Sequence, residues 1–422
     1  MALTTQFPRS RNSLALPLAS RFLCVAGRSG AQQALASHSC GVLVTLALAA
    51  LPLCSVAAPL SVVVNPGDQG EQSRFAVFSE WRQVLEQSLR RERAAGGLQL
   101  TQSNDATADL SATRSRLNDL VVGPAHVVGS ALRYGYQPVA TMDKTVQAVL
   151  VAPQSSSINK LSDSAGKRLG LPMQDSVVTY LLRGEINASN STIKQHFGAV
   201  LESRYQDALL VCLQIRRCDV VAVERAVFER WQAAGESLKV VMQSKAVPGL
   251  SVALKPGGTL NAEGLRASLQ GAQAGSLKLQ AVGADAFEYV STLGYFTPRA
   301  LPGATQVDAA AVAKLLQGGA LFIDTRNEAE YKAGHAAGAK SVPYHEKSAK
   351  EADFKVEDDK FDLSQLPADK ASALVFACNG PECWKSFKAS HVAVKAGYSK
   401  VYWFRGGFPE WRAAGYKIEG SP

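Results

Sequence analysis

Residues 373–386, ALVFACNGPECWKS, constrain the fold around them more than any other part of this sequence. Residues 374–377 form a short apolar run of the length expected for a buried strand. Gly380 and Pro381 then predict a turn, and a helical pattern begins at Trp384. The stretch therefore predicts a strand, a tight loop and a helix in close succession.

Two cysteines flank this predicted loop, Cys378 at its start and Cys383 near its end. Inward-pointing amide N–H groups and the partial positive charge of a helix N-terminus both stabilise a thiolate, which is the nucleophilic form of cysteine. Cys378 is the predicted nucleophile. Cys383 is either a second catalytic thiol or a residue that only packs or forms a structural disulfide. Lys385 is the predicted basic residue of the site, and the other predicted loop residues are Asn379, Gly380, Glu382, Trp384 and Ser386.

The composition is that of an ordinary folded protein, with 46% hydrophobic and 19% charged residues in 422. This length predicts two or three domains. The net charge is +9, but four of the arginines lie within the first 28 residues and no long run of Lys and Arg is present. The pattern argues against binding to nucleic acid.

Residues 1–58 predict a targeting segment. The segment begins with basic residues and no acidic ones, and residues 41–53 form an apolar run too short for a comfortable membrane span. Small residues at positions 55–58 are typical of a cleavage site. We therefore predict export to a bacterial periplasm, with an uncleaved membrane anchor as the alternative.

Cysteine usage agrees with that compartment. Three of the seven cysteines lie within residues 1–58, and the other four form two close pairs. In an oxidising compartment each pair can form a disulfide. Cys212 and Cys218 are either free and packed or disulfide-bonded, and a bridge requires the chain to turn between them. No zinc-binding pattern is present, and neither a metal nor a cofactor is predicted.

Residues 59–290 predict an α/β domain with two lobes, because short apolar runs alternate with helical patterns. The strands expected include residues 60–65, 146–152 and 251–254. A helix with a polar face is expected over residues 264–279.

Three segments of this domain resemble the periplasmic substrate-binding proteins of phosphate, phosphite and phosphonate ABC transporters. The segments are residues 119–142, which contain a Gly-Pro-Ala turn, residues 161–182 and residues 208–224. The resemblance implies two lobes joined by crossover strands, with a small anionic or organic ligand in the cleft. It also implies a membrane transporter as partner.

Residues near position 176 have the chemistry for such a ligand. Ser176 and Thr179 would lie at the start of a helix, where N–H groups and hydroxyls bind oxyanions. Ser176 has the alternative role of a helix cap, and Tyr180 that of a packing residue. His126 is either a cleft residue or a structural histidine. Asp175 would repel an anion, so the ligand need not be a phosphonate.

Residues 305–422 predict a second domain, after a linker at residues 291–304. Short strands alternate with helices, which predicts a parallel sheet with helices on both faces. Residues 344–370 are polar and charged, and they are expected to form a long surface excursion.

This second domain resembles the rhodanese family. The resemblance rests on three segments: FIDTR (residues 322–326), GHAAGA (residues 334–339) and VYWFRGG (residues 401–407). The resemblance implies that Cys378 accepts sulfur. Asp324 and Arg326 are expected to support the site, chiefly as a structural pair. The loop departs from the family because proline stands in its fourth position and removes an N–H, while Glu382 adds a negative charge that Lys385 is expected to offset.

Three functions remain open from the sequence. In the first, Cys378 takes sulfane sulfur from a donor such as thiosulfate, and a thiol, cyanide or a protein accepts it. In the second, the chain is a solute-binding and thiol-redox or sulfur-carrier protein that serves a partner such as a periplasmic dehydrogenase. The third, a phosphatase or arsenate reductase, is disfavoured because those reactions need an arginine where this chain has Lys385.

Overall fold

The computed structural model describes residues 58–68, 70–91 and 96–420, so the predicted targeting segment lies almost entirely outside the described residues. Within these ranges no helix has the length and apolar character needed to cross a membrane. The strands are β1 (Leu60–Val64), β2 (Leu98–Gln102), β3 (Leu120–Gly123), β4 (Gln137–Met142), β5 (Thr145–Val146), β6 (Ala148–Pro153), β7 (Arg168–Pro172), β8 (Ala199–Ser203), β9 (Val220–Glu224), β10 (Leu238–Gln243), β11 (Val247–Pro248), β12 (Ser251–Leu254), β13 (Gln273–Ala274), β14 (Leu277–Gln280), β15 (Thr305–Val307), β16 (Leu321–Asp324), β17 (His335–Ala336), β18 (Lys340–Ser341), β19 (Ala373–Ala377), β20 (Lys400–Phe404) and β21 (Ile418–Glu419).

Helices alternate with these strands, as the sequence predicts. They are α1 (Glu71–Arg91), α2 (Ala106–Ser115), α3 (Ala125–Leu132), α4 (Val177–Ala188), α5 (Ile193–His196), α6 (Asp207–Gln214), α7 (Arg225–Ala233), α8 (Ala262–Leu269), α9 (Glu288–Thr292), α10 (Ala309–Gln317), α11 (Glu328–Ala333), α12 (Trp384–Lys395) and α13 (Gly407–Ala413). Short 3-10 turns lie at Leu161–Ser164, Asp285–Phe287, Val356–Asp358 and Leu363–Gln365.

Residues up to 293, which we call the binding region, form two lobes. The first lobe is a seven-stranded sheet in the order β13-β14-β4-β12-β3-β1-β2. The second is a five-stranded sheet in the order β10-β6-β9-β7-β8. The chain passes from one lobe to the other at β5 and returns at β11, and these two short strands pair antiparallel. Two lobes joined by crossover strands were predicted, and the fold confirms them.

Residues 305–420, which we call the C-terminal region, contain a five-stranded sheet in the order β15-β20-β19-β16-β18. All its neighbouring strands pair in parallel. Val375 and Ala377 of β19 contribute to the core on one face, and Leu374 and Phe376 contribute to the core on the other. Because β19 is central and buried on both faces, its carboxyl end fixes the position of Cys378.

The helix predicted over residues 264–279 is wrong in its second half. Helix α8 ends at Leu269, and the chain continues as the hairpin of β13 and β14. Gly271 and Gly275 have φ angles of +72° and +56°, which break a helix and suit tight turns. Leu277 and Leu279 are buried while their neighbours are exposed, which is the two-residue period of a strand.

Candidate functional sites

A single short loop contains both of the predicted thiols. Cys378 follows β19 directly and Cys383 precedes α12, so residues 378–383, the cysteine loop, link a central strand to a helix. Gly380 has a φ of +86°, and its carbonyl accepts a hydrogen bond from the Cys383 N–H at 2.9 Å. The two sulfur atoms form a disulfide across a Cα–Cα distance of 6.1 Å. Cys378 is only 1% exposed and Cys383 5%, so neither sulfur faces solvent.

The side chain of Asn379 anchors the cysteine loop to helix α2 of the binding region. Its amide oxygen accepts a hydrogen bond from the Ser115 hydroxyl at 2.9 Å. Its amide nitrogen donates to the Glu330 carboxylate at 2.7 Å, and that carboxylate also accepts from Ser111 at 2.6 Å. The Asn379 carbonyl accepts from the Tyr134 hydroxyl at 3.2 Å. Asn379 is thus a docking residue within a fully buried polar network.

Glu382 is the second residue that anchors the cysteine loop to the binding region, and its contacts correct one prediction. Its carboxylate lies 3.0 Å from the Arg133 guanidinium and 3.9 Å from that of Arg114, and it accepts a hydrogen bond from Ser130 at 3.1 Å. The expectation that Lys385 offsets the charge of Glu382 is therefore wrong. Lys385 is half-buried and forms no ion pair among the described residues, whereas both arginines come from the binding region.

The remaining loop residues also have structural partners. The Trp384 indole donates to the Tyr295 carbonyl at 2.8 Å, which ties α12 to the segment that follows the binding region. Ser386 is 1% exposed, and its hydroxyl accepts from the Trp403 indole at 3.2 Å. Trp384 and Ser386 therefore hold the loop in place rather than face a substrate in this arrangement.

Asp324 and Arg326 form a buried pair beside the loop. The Arg326 Nη2 atom lies 2.6 Å from Asp324 Oδ2, and Nε donates to Asp324 Oδ1 at 2.9 Å. Arg326 also donates to the Gly334 carbonyl at 2.7 Å and is fully buried. This geometry agrees with the structural role that the sequence favoured.

The chemistry of the cysteine loop follows from these contacts. A disulfide is not a nucleophile, so Cys378 can attack a donor only after two electrons and two protons convert the pair to thiols. The loop is also covered by α2 and by the residues after α3, so a partner protein must reach it through this cover. The site therefore combines a redox-sensitive pair with restricted access.

A second candidate site is a cavity of about 1460 Å³ between the two lobes. Its walls include Arg74 and Thr107 from the first lobe and Asp175 and Arg183 from the second. A third wall comes from the C-terminal region, through residues 346–351 and Asp353. These residues belong to the predicted surface excursion, and much of residues 346–353, which we call the bridging loop, is exposed. The prediction missed that Ser348 is buried and that the Lys350 side chain is only 8% exposed.

Ser176, Thr179 and His126 line this cavity, and the Ser176 and Thr179 hydroxyls already have partners within the protein. The Ser176 hydroxyl caps α4 by accepting from the Val178 N–H at 3.1 Å. The Thr179 hydroxyl donates to the Met173 carbonyl at 3.0 Å. Their hydroxyls are therefore used within the protein, which agrees with the capping alternative for Ser176.

His126 donates from Nε2 to the Asp175 carbonyl at 2.8 Å, while Nδ1 has no hydrogen-bond partner among the described residues. Burial lowers the pKa of His126 to about 4, so the ring is neutral near pH 7 and Nδ1 is an acceptor. Tyr180 does not line the cavity, which corrects the prediction that it contacts ligand. Its ring is buried against His126 and Tyr295, with centroids 4.5 Å and 5.1 Å away.

Several residues of the two candidate sites were not predicted from the sequence. Lys350, Arg114 and Arg133 are exceptional only through contacts with distant parts of the chain, so no local pattern marks them. Their nearest sequence signal is position, since Arg114 lies in the last turn of α2 and Arg133 follows α3. Within the described part of the chain, no group of three or more His, Cys, Asp or Glu side chains is arranged to hold a metal.

Comparison with known families accounts for both regions. The sequence model for ABC transporter, phosphonate, periplasmic substrate-binding protein matches residues 69–293. The model for the rhodanese-like domain matches residues 308–414. No curated protein matches the chain significantly.

Three solved structures resemble part of this chain. One is a binding protein component of an ABC phosphonate transporter from Pseudomonas aeruginosa, with 16% identity, a TM-score of 0.43 and coverage of 56% of this chain and 86% of that one. Another is from Prochlorococcus marinus in complex with methylphosphonate, with 14% identity, a TM-score of 0.45 and coverage of 56% and 96%. A third, from Xanthomonas citri and bound to ATP, has 15% identity, a TM-score of 0.45 and coverage of 56% and 97%.

Proposed function

We propose a function for this chain from two facts: it belongs to the phosphonate-type periplasmic substrate-binding proteins of ABC transporters, and it also carries a rhodanese-like domain. In this proposal the chain is an exported solute-binding protein whose second domain is a thiol-redox and sulfur carrier. The observation that supports this most directly is the disulfide between Cys378 and Cys383, buried beneath the binding region. A partner dithiol would reduce it, with transfer of two electrons and two protons, and would itself become a disulfide.

The binding region would supply the solute-binding half of this function. Its family and its interlobe cavity support a small anionic ligand, delivered to or monitored for a membrane transporter. A periplasmic dehydrogenase is the second kind of partner that the thiol pair would suit. Fusion of the two regions in one chain would place solute capture and thiol chemistry in a single process.

A second candidate function is sulfur transfer, which the position of Cys378 at the carboxyl end of central strand β19 favours. The Cys378 thiolate would attack the sulfane sulfur of thiosulfate, the sulfur–sulfur bond of thiosulfate would break, and sulfite would leave. Cys383 would then attack the Cys378 sulfur of the persulfide, release hydrosulfide and restore the disulfide. Lys385 is the basic residue that would assist in this reaction.

One experiment separates the two functions. The exported chain is equilibrated in dithiol redox buffers, and intact mass reports the Cys378–Cys383 state before and after thiosulfate is added. Cys378→Ser and Cys383→Ser are the test variants, and the Cys212→Ala/Cys218→Ala double variant is the matched control. A reversible transition between about −120 and −270 mV, without sulfur transfer from thiosulfate, would support the thiol-redox carrier. A one-sulfur adduct on Cys383→Ser, with release of hydrosulfide by wild type and neither product in Cys378→Ser, would support sulfur transfer. A pair that never oxidises would exclude the thiol-redox carrier.

A further inference from the structure

We propose that the C-terminal region completes the ligand site of the cleft, and that Lys350 adapts this site to an oxyanion by neutralising Asp175. The inference rests on the proposed function in one respect, namely that the cleft takes a small oxyanion. It adds the residue that determines this specificity and places that residue in the other region of the chain.

Lys350 carries the contact between the bridging loop and the cleft. Its ammonium lies 2.6 Å from Asp175 Oδ1, and both side chains are only 8% exposed. Asp175 is also held by a hydrogen bond from Thr107 of the first lobe. The Asp175 carboxylate of the second lobe thus contacts both the first lobe and the C-terminal region.

Without Lys350, Asp175 would oppose an anionic ligand. Burial would by itself raise the pKa of Asp175, but the charge of Lys350 reverses this effect and holds the pKa below its ordinary value. The carboxylate therefore stays ionised, and a second anion in the cavity would be repelled by it. The ammonium removes that repulsion because it pairs with both carboxylate oxygens.

Two guanidinium groups then remain for the ligand. Arg74 and Arg183 line the cavity, neither forms an ion pair among the described residues, and each has a buried Nε–H without a hydrogen-bond partner there. A buried donor without a partner is unfavourable, so a ligand rich in acceptor oxygens is favoured. Arginine is well suited to phosphonate and phosphate oxygens because its donors form a planar fork.

The bridging loop itself is fixed to the helix that follows the cysteine loop. Lys388 of α12 is fully buried, and its ammonium lies 2.6 Å from the Glu346 carboxylate and donates to the Ser348 carbonyl at 3.1 Å. The position of Lys350 in the cleft therefore depends on α12. A ligand bound beside Lys350 would contact both regions of the chain.

The test measures binding of methylphosphonate and of inorganic phosphate to the exported chain by titration calorimetry. Lys350→Gln is expected to weaken binding by about 10- to 100-fold, because it exposes the ligand to an unneutralised Asp175. The double variant Asp175→Asn/Lys350→Gln is expected to regain most of the affinity, since it removes the repelling charge as well. Lys355→Gln removes an exposed positive charge outside the cavity and serves as the control.

The alternatives give different results. Equal or tighter binding by Lys350→Gln would overturn the inference, since it would make Lys350 a bystander or a competitor for the cleft. Wild-type protein that binds neither probe would overturn the proposed ligand class and this inference together. Should Lys350→Gln fail to fold, Lys350→Arg and the double variant provide the decision, because both must bind if neutralisation of Asp175 is the role of Lys350.

Discussion

Glu382 and Arg133 lie 3.0 Å apart across the junction of the two regions, so that a residue inside the cysteine loop is paired with the binding region. The contacts of the cysteine loop are with the first lobe, through α2 and the residues at the end of α3. The bridging loop instead contacts Asp175 and Lys194 of the second lobe. The C-terminal region therefore contacts both lobes, and it contributes residues to both candidate sites.

The first prediction concerns the cover over the disulfide. Glu382→Gln removes a buried charge and leaves Arg114 and Arg133 without their carboxylate, which weakens docking of the cysteine loop. A loss of about 1.4 kcal/mol in docking free energy corresponds to a tenfold larger fraction of open molecules. We expect dithiothreitol to reduce Cys378–Cys383 about tenfold faster in this variant, as followed by alkylation and mass spectrometry.

Glu357→Gln is the matched control for this measurement. Glu357 is exposed and lies in a short turn of the C-terminal region, so its loss changes the net charge by the same amount without touching the junction. Equal reduction rates for wild type and Glu357→Gln are expected. Were Glu382→Gln also to match wild type, the covered loop would not limit access to the disulfide.

The second prediction separates the two disulfides. Cys212 and Cys218 are bonded at the end of α6, where the chain turns through Arg216 with a φ of +56°. Closing so short a loop restricts the unfolded chain and stabilises the fold by about 2 kcal/mol on the chain-entropy estimate. We expect Cys212→Ala/Cys218→Ala to lose about that much unfolding free energy in urea, while the reduction potential of Cys378–Cys383 is unchanged. A shift of that potential would contradict the assignment of the first pair to structure alone.

The third prediction is a pair of opposite pH dependences. Burial lowers the pKa of His126 from 6.5 to about 4, so between these values the unfolded chain binds more protons than the folded one. The neutral His126 ring therefore contributes to the free energy of unfolding in full above pH 6.5, and this contribution is lost as the pH falls towards 4. Burial raises the pKa of Asp109 from 3.8 to about 6, so there the folded chain binds more protons and stability falls as the pH rises from 3.8 to 6.

Urea unfolding between pH 4 and 6.5 tests both signs. Relative to wild type, Asp109→Asn is expected to gain unfolding free energy as the pH rises, because it lacks the acid that loses its proton. Relative to wild type, His126→Gln is expected to gain unfolding free energy as the pH falls. Parallel curves for the wild type and either variant would show that the replaced group does not titrate with a shifted pKa.

Local patterns predicted those parts of the molecule that depend on neighbours in sequence. The strand before Cys378, the loop and helix α12 follow from an apolar run, a Gly-Pro turn and a helical period within 23 residues of chain. The buried Asp324–Arg326 pair also lies within three positions. The fold class and both family resemblances rest on such segments, which is why the sequence was sufficient for them.

Contacts between distant segments were beyond the reach of the same reasoning. Ser130 and Glu382 are 252 positions apart, and Lys350 and Asp175 are 175 apart. The polar bridging loop has the composition of a solvated surface and is largely exposed, and Lys350 is a cleft residue only because its side chain pairs with Asp175 of the second lobe. Glu382 was one of the departures of the loop from its family, and its contacts with the binding region now explain its presence.

The last prediction joins the two sites. A ligand that contacts Arg74 of the first lobe, Arg183 of the second and the bridging loop stabilises the arrangement in which the cysteine loop is covered. A ligand that binds only this arrangement stabilises it by about 2.7 kcal/mol at 100 times its dissociation constant, so reduction that requires opening slows by up to about 100-fold. We expect saturating methylphosphonate to slow reduction of Cys378–Cys383 by dithiothreitol, and we expect Lys350→Gln to lose this protection at the same concentration.

By linkage, reduced protein should bind methylphosphonate more weakly than oxidised protein if reduction loosens the junction. A reduction rate that is independent of ligand in wild type, with binding confirmed by calorimetry, would show that the cleft and the cysteine loop act separately.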